Sequence, residues 1–201
     1  MDEIVKRAMQ KWPNVPNVFG WLKLDRRGNW LVKTRAESTA PAFERISNAA
    51  VIDFIGRNYQ GDERGRWFFQ NGPQRVFVTL DYTPFVYRLR GNTVSIETHT
   101  GATAEARAAW IDNAGMLVLE TEHGPGVVLD RDLAALLERI EVMDGKPADD
   151  AAIEGLAGGG PRLALAFGKR RVPLGSITVV EVPKRFGFNP DPRPAAGEPE
   201  C

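Results

Sequence analysis

The stretch 65–93, GRWFFQNGPQRVFVTLDYTPFVYRLRGNT, is the richest apolar and aromatic run in the chain. Between Arg75 and Tyr82, side chains alternate between two faces, which is the period-two pattern of a half-buried strand. Asn71-Gly72 tolerates the positive φ of a tight hairpin turn. Pro84 lacks the N–H that a central ladder needs, so it marks a strand start or a bend. We therefore predict three successive strands at the centre of one sheet.

Length and composition limit the class of protein. The 201 residues suit one large domain or two small ones. Lys plus Arg equals Asp plus Glu at 26 each, which argues against a dedicated nucleic-acid binder. The single cysteine, Cys201, excludes a disulfide within the chain and a cysteine-based metal site. No run approaches the ~18 apolar residues of a membrane span, and no apolar signal-peptide core is present, so we expect a cytoplasmic protein.

Two helices are predicted from apolar residues at helical spacing. The first covers residues 48–58 with Ser47 as its N-cap, and the second covers residues 130–141 with Asp130 as its N-cap. A strand is expected in the region 177–182. The predicted organisation is an N-terminal helix at 1–12, a first α+β subdomain at 13–92 and a second α+β subdomain at 93–183. The second subdomain includes a flexible Gly-rich loop at 144–161 with one helical turn. A Pro-rich tail follows at 184–201, and its last fifteen residues are expected to be disordered.

These elements predict an α+β fold. Mostly antiparallel, twisted sheets are expected to pack against the two main helices. The turn Asp25-Arg26-Arg27-Gly28-Asn29 corresponds to Asp112-Asn113-Ala114-Gly115-Met116, and both precede a short strand, a helix and a closing hairpin. This order is typical of two similar subdomains and of an internal duplication of a β–β–β–α–β–β unit. The alternative is that Asp-x-x-Gly turns are common and recur here by chance.

Three segments carry a resemblance to known proteins. They are NVFGWLKLDRRGNW from residue 17, the helix ISNAAVIDFIGRNY, and RGRWFFQNGPQRVFVTLDYTPFVYRL. Together with Thr100-Gly101, they resemble uncharacterised proteobacterial families whose names record only unknown function. The resemblance runs from about Val18 to Glu141. It implies a small bacterial α+β protein and supplies no catalytic residue.

Catalytic and phosphate-binding motifs are not apparent. No Gly-x-Ser-x-Gly elbow occurs, and nothing in the sequence connects a histidine to a serine. The glycines at 158–160 precede Pro161 and a predicted strand, whereas a phosphate loop leads into a helix. The sequence identifies no cofactor.

A metal site is one candidate. Glu97, His99, Glu122 and His123 lie at predicted strand ends. Carboxylates and imidazoles are ligands for Zn or Fe, so these residues would support a metal-dependent hydrolase. The alternative is that polar residues at strand ends simply face water.

A ligand-binding surface is the second candidate. Arginines and aromatic residues crowd together in one stretch, and such clusters bind anionic ligands or single-stranded nucleic acid. The alternative is that the aromatics are core residues and the arginines solvate the outer face or pair with nearby acids. The candidate residues are Arg64, Arg66, Trp67, Arg75, Tyr87 and Arg88.

We therefore predict a non-catalytic module that binds a protein partner or a small anionic ligand. The alternative function is the hydrolase built on Glu97, His99, Glu122 and His123. A third hypothesis is a homodimer joined through an exposed sheet edge. Nucleic acid and membrane are not expected partners.

Overall fold

The computed structural model describes residues 1–34, 42–91 and 94–198. The chain folds into two compact units. The first unit is Met1–Pro84 together with Gly187–Cys201, and the second unit is Phe85–Phe186. The division falls between Pro84 and Phe85, whereas the sequence suggested a boundary after residue 92.

The first unit contains two helices and one six-stranded sheet. The elements of this unit are α1 (Glu3–Lys11), β1 (Val18–Leu24), β2 (Trp30–Thr34), β3 (Ala42–Arg45), α2 (Ala49–Arg57), β4 (Tyr59–Gly61), β5 (Trp67–Asn71) and β6 (Gln74–Leu80). The strand order in the sheet is β3-β2-β1-β6-β5-β4.

Helix α2 covers one face of this sheet. Phe54 on the helix packs edge-on against Phe69 on β5, with ring centroids 5.4 Å apart. The buried Trp30 packs against Tyr59 in the same way at 5.0 Å. The N-cap of α2 is Asn48, whose side chain accepts a hydrogen bond from the backbone of Val51 at 3.2 Å, so the predicted Ser47 cap is one residue early.

The second unit contains a nine-stranded sheet and three helices in the described residues. The elements are β7 (Phe85–Leu89), β8 (Ile96–Thr98), β9 (Thr103–Ala104), β10 (Ala106–Asp112), β11 (Leu117–Thr121), β12 (Pro125–Val128), α3 (Asp130–Leu137), β13 (Ile140–Val142), α4 (Asp150–Glu154), β14 (Leu163–Phe167), β15 (Arg170–Ile177) and α5 (Val182–Phe186). The strand order in the sheet is β13-β14-β15-β10-β11-β12-β7-β8-β9.

The predicted α+β class is confirmed. Among the described strands, only the pairs β1–β6, β10–β15 and β7–β12 are parallel, and the other pairs are antiparallel. The helix α2 occupies its predicted position. The helix α3 begins at Asp130 with Leu129 as its N-cap, and it ends at Leu137, before the predicted end at 141, because residues 140–142 form β13. Across residues 1–34, 42–91 and 94–198, no helix has the length and apolar character needed to cross a membrane.

The prediction of three central strands in one sheet is wrong. Strands β5 and β6 pair within the first sheet, but β7 pairs with β12 and β8 in the second. The break follows from Pro84, which cannot donate a ladder hydrogen bond and directs the chain out of the first sheet.

The two units share one strand arrangement. Strands β1 to β6 have the same order and pairing directions as β10 to β15. The turn after β1 and the turn at the end of β10 also agree. In each, the Oδ1 atom of an aspartate, Asp25 or Asp112, accepts hydrogen bonds from the backbone N–H groups two and four residues later. Each turn contains a glycine with positive φ, 79° at Gly28 and 78° at Gly115.

The strand expected at 177–182 and the C-terminal tail differ from the prediction. The strand β15 lies earlier, at Arg170–Ile177, and a helix, α5, begins at Val182. The loop 144–161 contains α4 and a 3₁₀ turn at Gly155–Ala157, in the segment where the sequence predicts one helical turn.

Residues 187–198, expected to be disordered, instead form hydrogen bonds with the first unit, and we call them the C-terminal strap. Asn189 N–H donates to the Gly65 carbonyl, and the Pro190 carbonyl accepts from Leu80 N–H, both at 2.8 Å. Proline favours an extended backbone, which does not prevent this docking because the strap uses carbonyl groups and the N–H groups of its other residues.

Candidate functional site

A cleft of about 730 Å³ lies in the first unit beside the C-terminal strap. Because side chains alternate along a strand, Phe68 on β5 faces away from Phe69 and therefore away from α2. The cleft thus lies on the sheet face opposite that helix. It is lined by Gln60, Gly61, Asp62, Glu63, Arg64, Arg66, Phe68, Arg75, Ala195, Ala196, Gly197 and Glu198.

Arg66 is a buried structural cation in the wall of this cleft. Its guanidinium contacts Asp62 Oδ2 at 2.8 Å and Glu198 Oε2 at 2.7 Å, and only 7% of the residue is exposed. The same guanidinium lies over the ring of Phe77 at 4.4 Å. Arg66 therefore fastens the strap to the sheet, and its charge is already neutralised by two carboxylates.

The ion pair between Arg66 and Glu198 is stable around neutral pH. The hydrogen bond from Arg66 lowers the pKa of the Glu198 carboxyl to about 2, against the opposing effect of burial. Further donors to Glu198 are the Ala195 N–H and the Asn17 side-chain amide, each at 2.9 Å. For Arg66, burial would lower the pKa, but the hydrogen bonds to Glu198 and Asp62 outweigh it and raise the pKa.

Arg64 and Arg75 are the other two arginines that line the cleft. Arg64 is exposed in the turn between β4 and β5, and Arg75 lies over the ring of Phe68 at 4.7 Å. Neither guanidinium forms an ion pair with a carboxylate in the described part of the chain. Glu63 is the remaining charged residue of the lining, so three arginines and three carboxylates line the cleft. The arrangement presents two available guanidinium groups beside one cavity.

The structure separates the predicted ligand-binding residues. Arg64, Arg66 and Arg75 line the cleft, whereas Trp67 points to the other face and packs against Tyr59 with ring centroids 5.0 Å apart. Trp67 is therefore half-buried on the face of the sheet that carries α2.

Tyr87 and Arg88, the other two predicted ligand-binding residues, belong to the second unit. Tyr87 is fully buried, and its hydroxyl donates to the Gly124 carbonyl at 2.9 Å and lies 2.6 Å from Thr121 Oγ1. Arg88 pairs with Glu97 at 2.7 Å. Both side chains are occupied by partners within their own unit.

The predicted metal ligands do not form a cluster. Glu97 is engaged by Arg88, and His123 Nε2 lies 2.9 Å from the Thr103 carbonyl oxygen and 3.5 Å from Glu122. Across the described ranges, no group of three or more His, Cys, Asp or Glu side chains is placed to hold a metal ion.

The ring of Phe85 lies close to both histidines that were predicted to share a metal. Its centroid is 5.8 Å from that of His99 and 6.2 Å from that of His123. His99 accepts a hydrogen bond at Nδ1 from the Val86 N–H at 3.3 Å. Both imidazoles therefore lie near one aromatic ring and contact backbone groups, and His123 also lies beside Glu122.

Glu198 and Asn17 are the site residues that the sequence did not indicate. They lie 181 positions apart in the chain and meet only because the strap returns to the first unit. No local pattern marks either residue, since their role depends on a long-range contact.

Comparison with known families places the chain. The DUF2944 family model, described as "Protein of unknown function (DUF2946)", matches residues 1–193. The chain belongs to the DUF2944 family. The resemblance to a family of unknown function is thereby confirmed, over a longer range than the residues that first indicated it.

Two solved structures are similar to this DUF2944 protein. A DUF1285 family protein from Silicibacter pomeroyi DSS-3 has 16% identity and a TM-score of 0.49, and the match covers 88% of this chain and 97% of that one. A DUF1285 family protein from Shewanella baltica OS155 has 11% identity and a TM-score of 0.39, and it covers 57% of this chain and 87% of that one. No curated protein matches the sequence.

Proposed function

We propose that the protein is a non-catalytic binding module whose first unit takes a small anionic ligand in the cleft beside the strap. One observation carries this proposal. Arg64 and Arg75 line a cavity of about 730 Å³, and no described carboxylate pairs with either. Guanidinium groups form short, charge-assisted hydrogen bonds to carboxylate and phosphate, often in bidentate geometry.

The structure around the two arginines supports the proposal, because contacts within the protein hold the wall of the cleft in place without a ligand. Arg75 rests on the Phe68 ring, and the neighbouring wall is fixed by the ion pairs of Arg66 with Asp62 and Glu198. A site that is ordered in advance loses less conformational entropy on binding.

The experiment is calorimetric titration of the protein with inorganic phosphate and with citrate, repeated on Arg64→Gln and Arg75→Gln. We expect saturable binding to the parent protein and about tenfold weaker binding for each variant, because a charge-assisted hydrogen bond contributes about 1.5–3 kcal/mol. Arg88→Gln is the matched control, since Arg88 is paired with Glu97 in the second unit, and it should bind as the parent does. Equal affinity in all four proteins would refute the proposal.

We also propose that the two units arose by internal duplication. The shared strand order and the shared aspartate turns support this origin. Arg171 is the second residue of β15, as Arg75 is of β6, and Arg171 is paired with Glu141 at 2.6 Å. A backbone superposition should place each of the strands β1–β6 on its counterpart in β10–β15, in register. Agreement limited to single hairpins would instead indicate that the similar turns recur by chance.

A further inference from the structure

Strands β1 to β3 of the first sheet carry basic and aromatic side chains on one face. Lys33 on β2 lies directly opposite Phe43 on β3, and its Nζ atom lies over the Trp21 ring of β1, 5.6 Å from the ring centroid. Lys23 Nζ lies over the ring of Phe43 at the same distance, 5.6 Å. We call this surface the basic face, and its residues are Trp21, Lys23, Leu31, Lys33, Phe43 and Arg45.

The strand register places Leu31 and Arg45 on the same face as the two lysines. Leu31 lies directly opposite Lys23 on one side and directly opposite Arg45 on the other. Residues that lie opposite each other in antiparallel strands project from the same face of the sheet. Leu22 and Trp30, which alternate with them along β1 and β2, project from the other face and are buried.

The aromatic and apolar side chains of the basic face are accessible to solvent. Trp21 is 44% exposed, and Leu31 and Phe43 are partly exposed. Burial of such apolar surface against a partner is favourable. Accessible aromatic rings set among cations are the arrangement on which the bases of single-stranded nucleic acid stack.

The basic face is positively charged, although the whole chain is not. Lys23 forms an ion pair with Asp81 at 2.7 Å, whereas Lys33 and Arg45 form no ion pair with any carboxylate of the described residues. Glu44, the acidic residue of β3, alternates to the other face of the sheet. The balanced charge of 26 basic and 26 acidic residues, from which we expect no nucleic-acid partner, averages over this local surplus. The charge of the basic face favours an anionic partner.

The basic face is distinct from the cleft, although both lie on the same side of the sheet. Lys23 pairs in register with Thr79 on β6, and Thr79 shares its face with Phe77. Phe77 is fully buried, and the Arg66 guanidinium lies over its ring at 4.4 Å. No residue of the basic face lines the cleft. A ligand on the basic face therefore makes its own set of contacts.

We propose that the basic face binds single-stranded nucleic acid. One base stacks on Trp21 and another stacks on Phe43, while Lys33 and Arg45 contact phosphates. Trp21 and Phe43 lie on strands separated by β2, about 10 Å apart at the usual strand spacing, so the two rings take different bases. The cations would also attract an acidic peptide, but only a nucleic-acid base gains from stacking on the accessible rings. This inference does not involve Arg64 or Arg75 and is independent of the proposed anion site.

Fluorescence anisotropy with a labelled oligothymidylate tests the stacking contact. We expect saturable binding to the parent protein and about tenfold weaker binding to Trp21→Ala, because the stack of a base on an aromatic ring is lost. Trp12→Ala is the matched control. Trp12 is 52% exposed and has Lys11 Nζ over its ring at 4.6 Å, but it lies at the end of α1, outside the basic face, so this variant should bind as the parent does.

Salt dependence tests the phosphate contacts. The logarithm of the affinity for a single strand falls with the logarithm of the salt concentration, with a slope of about 0.7 for each phosphate that is neutralised. Lys33→Gln and Arg45→Gln should each reduce the slope by about this amount, and Lys11→Gln should leave it unchanged. This measurement decides the question if Trp21→Ala fails to fold.

A labelled oligoglutamate separates nucleic acid from an acidic peptide. The parent protein should bind it much more weakly than oligothymidylate, because glutamate offers charge without a ring to stack. Equal affinity for the two probes would overturn the inference in favour of an acidic peptide. Equal affinity of the parent and Trp21→Ala for oligothymidylate, or no binding of oligothymidylate by the parent, would overturn it as well. Arg64→Gln should leave this binding unchanged, and a loss there would place the oligonucleotide in the cleft instead.

Discussion

Arg66 shows how one residue can join distant parts of the chain. Its guanidinium is buried between Asp62, four positions earlier, and Glu198, which is 132 positions later. Removing one partner of a buried ion pair is strongly destabilising because the other charge stays buried without compensation. The cleft therefore depends on this residue for its shape, while Arg64 and Arg75 provide its available charge.

Glu198→Gln should change how stability depends on pH. In the folded protein the pKa of Glu198 is lowered from 4.5 to about 2, so its contribution is present above pH 4.5 and is lost as the pH falls towards 2. We expect the variant to be less stable by about 2 kcal/mol at pH 7 and to lose less stability than the parent over that acid range. Urea unfolding at a series of pH values measures this. Glu63→Gln, which changes a glutamate of the same cleft that Arg66 does not engage, should behave as the parent does, and a parallel decline of all three proteins would argue against the ion pair.

Tyr87→Phe should affect stability and leave anion binding unchanged. The hydroxyl is buried and hydrogen-bonds to the Gly124 carbonyl and Thr121, so its removal loses two buried hydrogen bonds and costs about 1–3 kcal/mol. Thermal unfolding and phosphate titration measure the two effects separately. A loss of phosphate affinity at full stability would instead return Tyr87 to the ligand site.

At the scale of elements, the strap docks where one glycine leaves room for it. Gly65 has φ of +71°, and a Cβ atom there would lie 2.1 Å from the Gly187 carbonyl oxygen. The same residue accepts the hydrogen bond from Asn189. The absence of a side chain at Gly65 is thus a condition for the strap to lie on the sheet.

Gly65→Ala should release the strap, and Gly20→Ala is its matched control. Both glycines have φ of +71°, but a Cβ at Gly20 meets nothing within 4 Å. We expect about 1–2 kcal/mol of backbone strain in each variant, and an additional loss only in Gly65→Ala. Amide exchange at Asn189 is the measurement, and it should become much faster in Gly65→Ala alone. Equal exchange rates in the two variants would show that the contact with residue 187 is unimportant.

The elements that the sequence predicted well are those with local signals. The helix at 49–57 and the aspartate turns follow from residue spacing and turn chemistry, which act over a few positions. The sequence did not predict which sheet β7 joins, because the alternation of side chains identifies a strand but not its partner strand. The cleft shows the same contrast between local and long-range signals. Arg64, Arg66 and Arg75 are close in sequence, whereas Glu198 comes from a Pro-rich segment whose composition is typical of disorder.

At the scale of the whole chain, the second unit is continuous and the first is not. Phe85–Phe186 contains its own sheet and core, including Leu117, Leu119 and Leu165. The first unit needs both ends of the chain, Met1–Pro84 and Gly187–Cys201. The two units therefore differ in what they require from the rest of the sequence.

The fragment 85–186 should fold by itself, because its strand pairings and buried side chains lie within that range. We expect a cooperative thermal transition and a circular dichroism spectrum with strand content. The fragment 1–84 should be less stable than the same sequence followed by the strap, since Arg66 then lacks Glu198. A fragment 85–186 without a cooperative transition would contradict this division.

Anion binding in the cleft is tested most directly by an NMR titration of the full chain with inorganic phosphate, observing backbone amides and arginine Nε–H groups. We expect the signals of Arg64 and Arg75 to shift progressively and saturate together, while those of Arg88 stay in place. Shifts centred on Arg88, or no saturable shift at any arginine, would contradict the claim that the cleft of the first unit binds an anion.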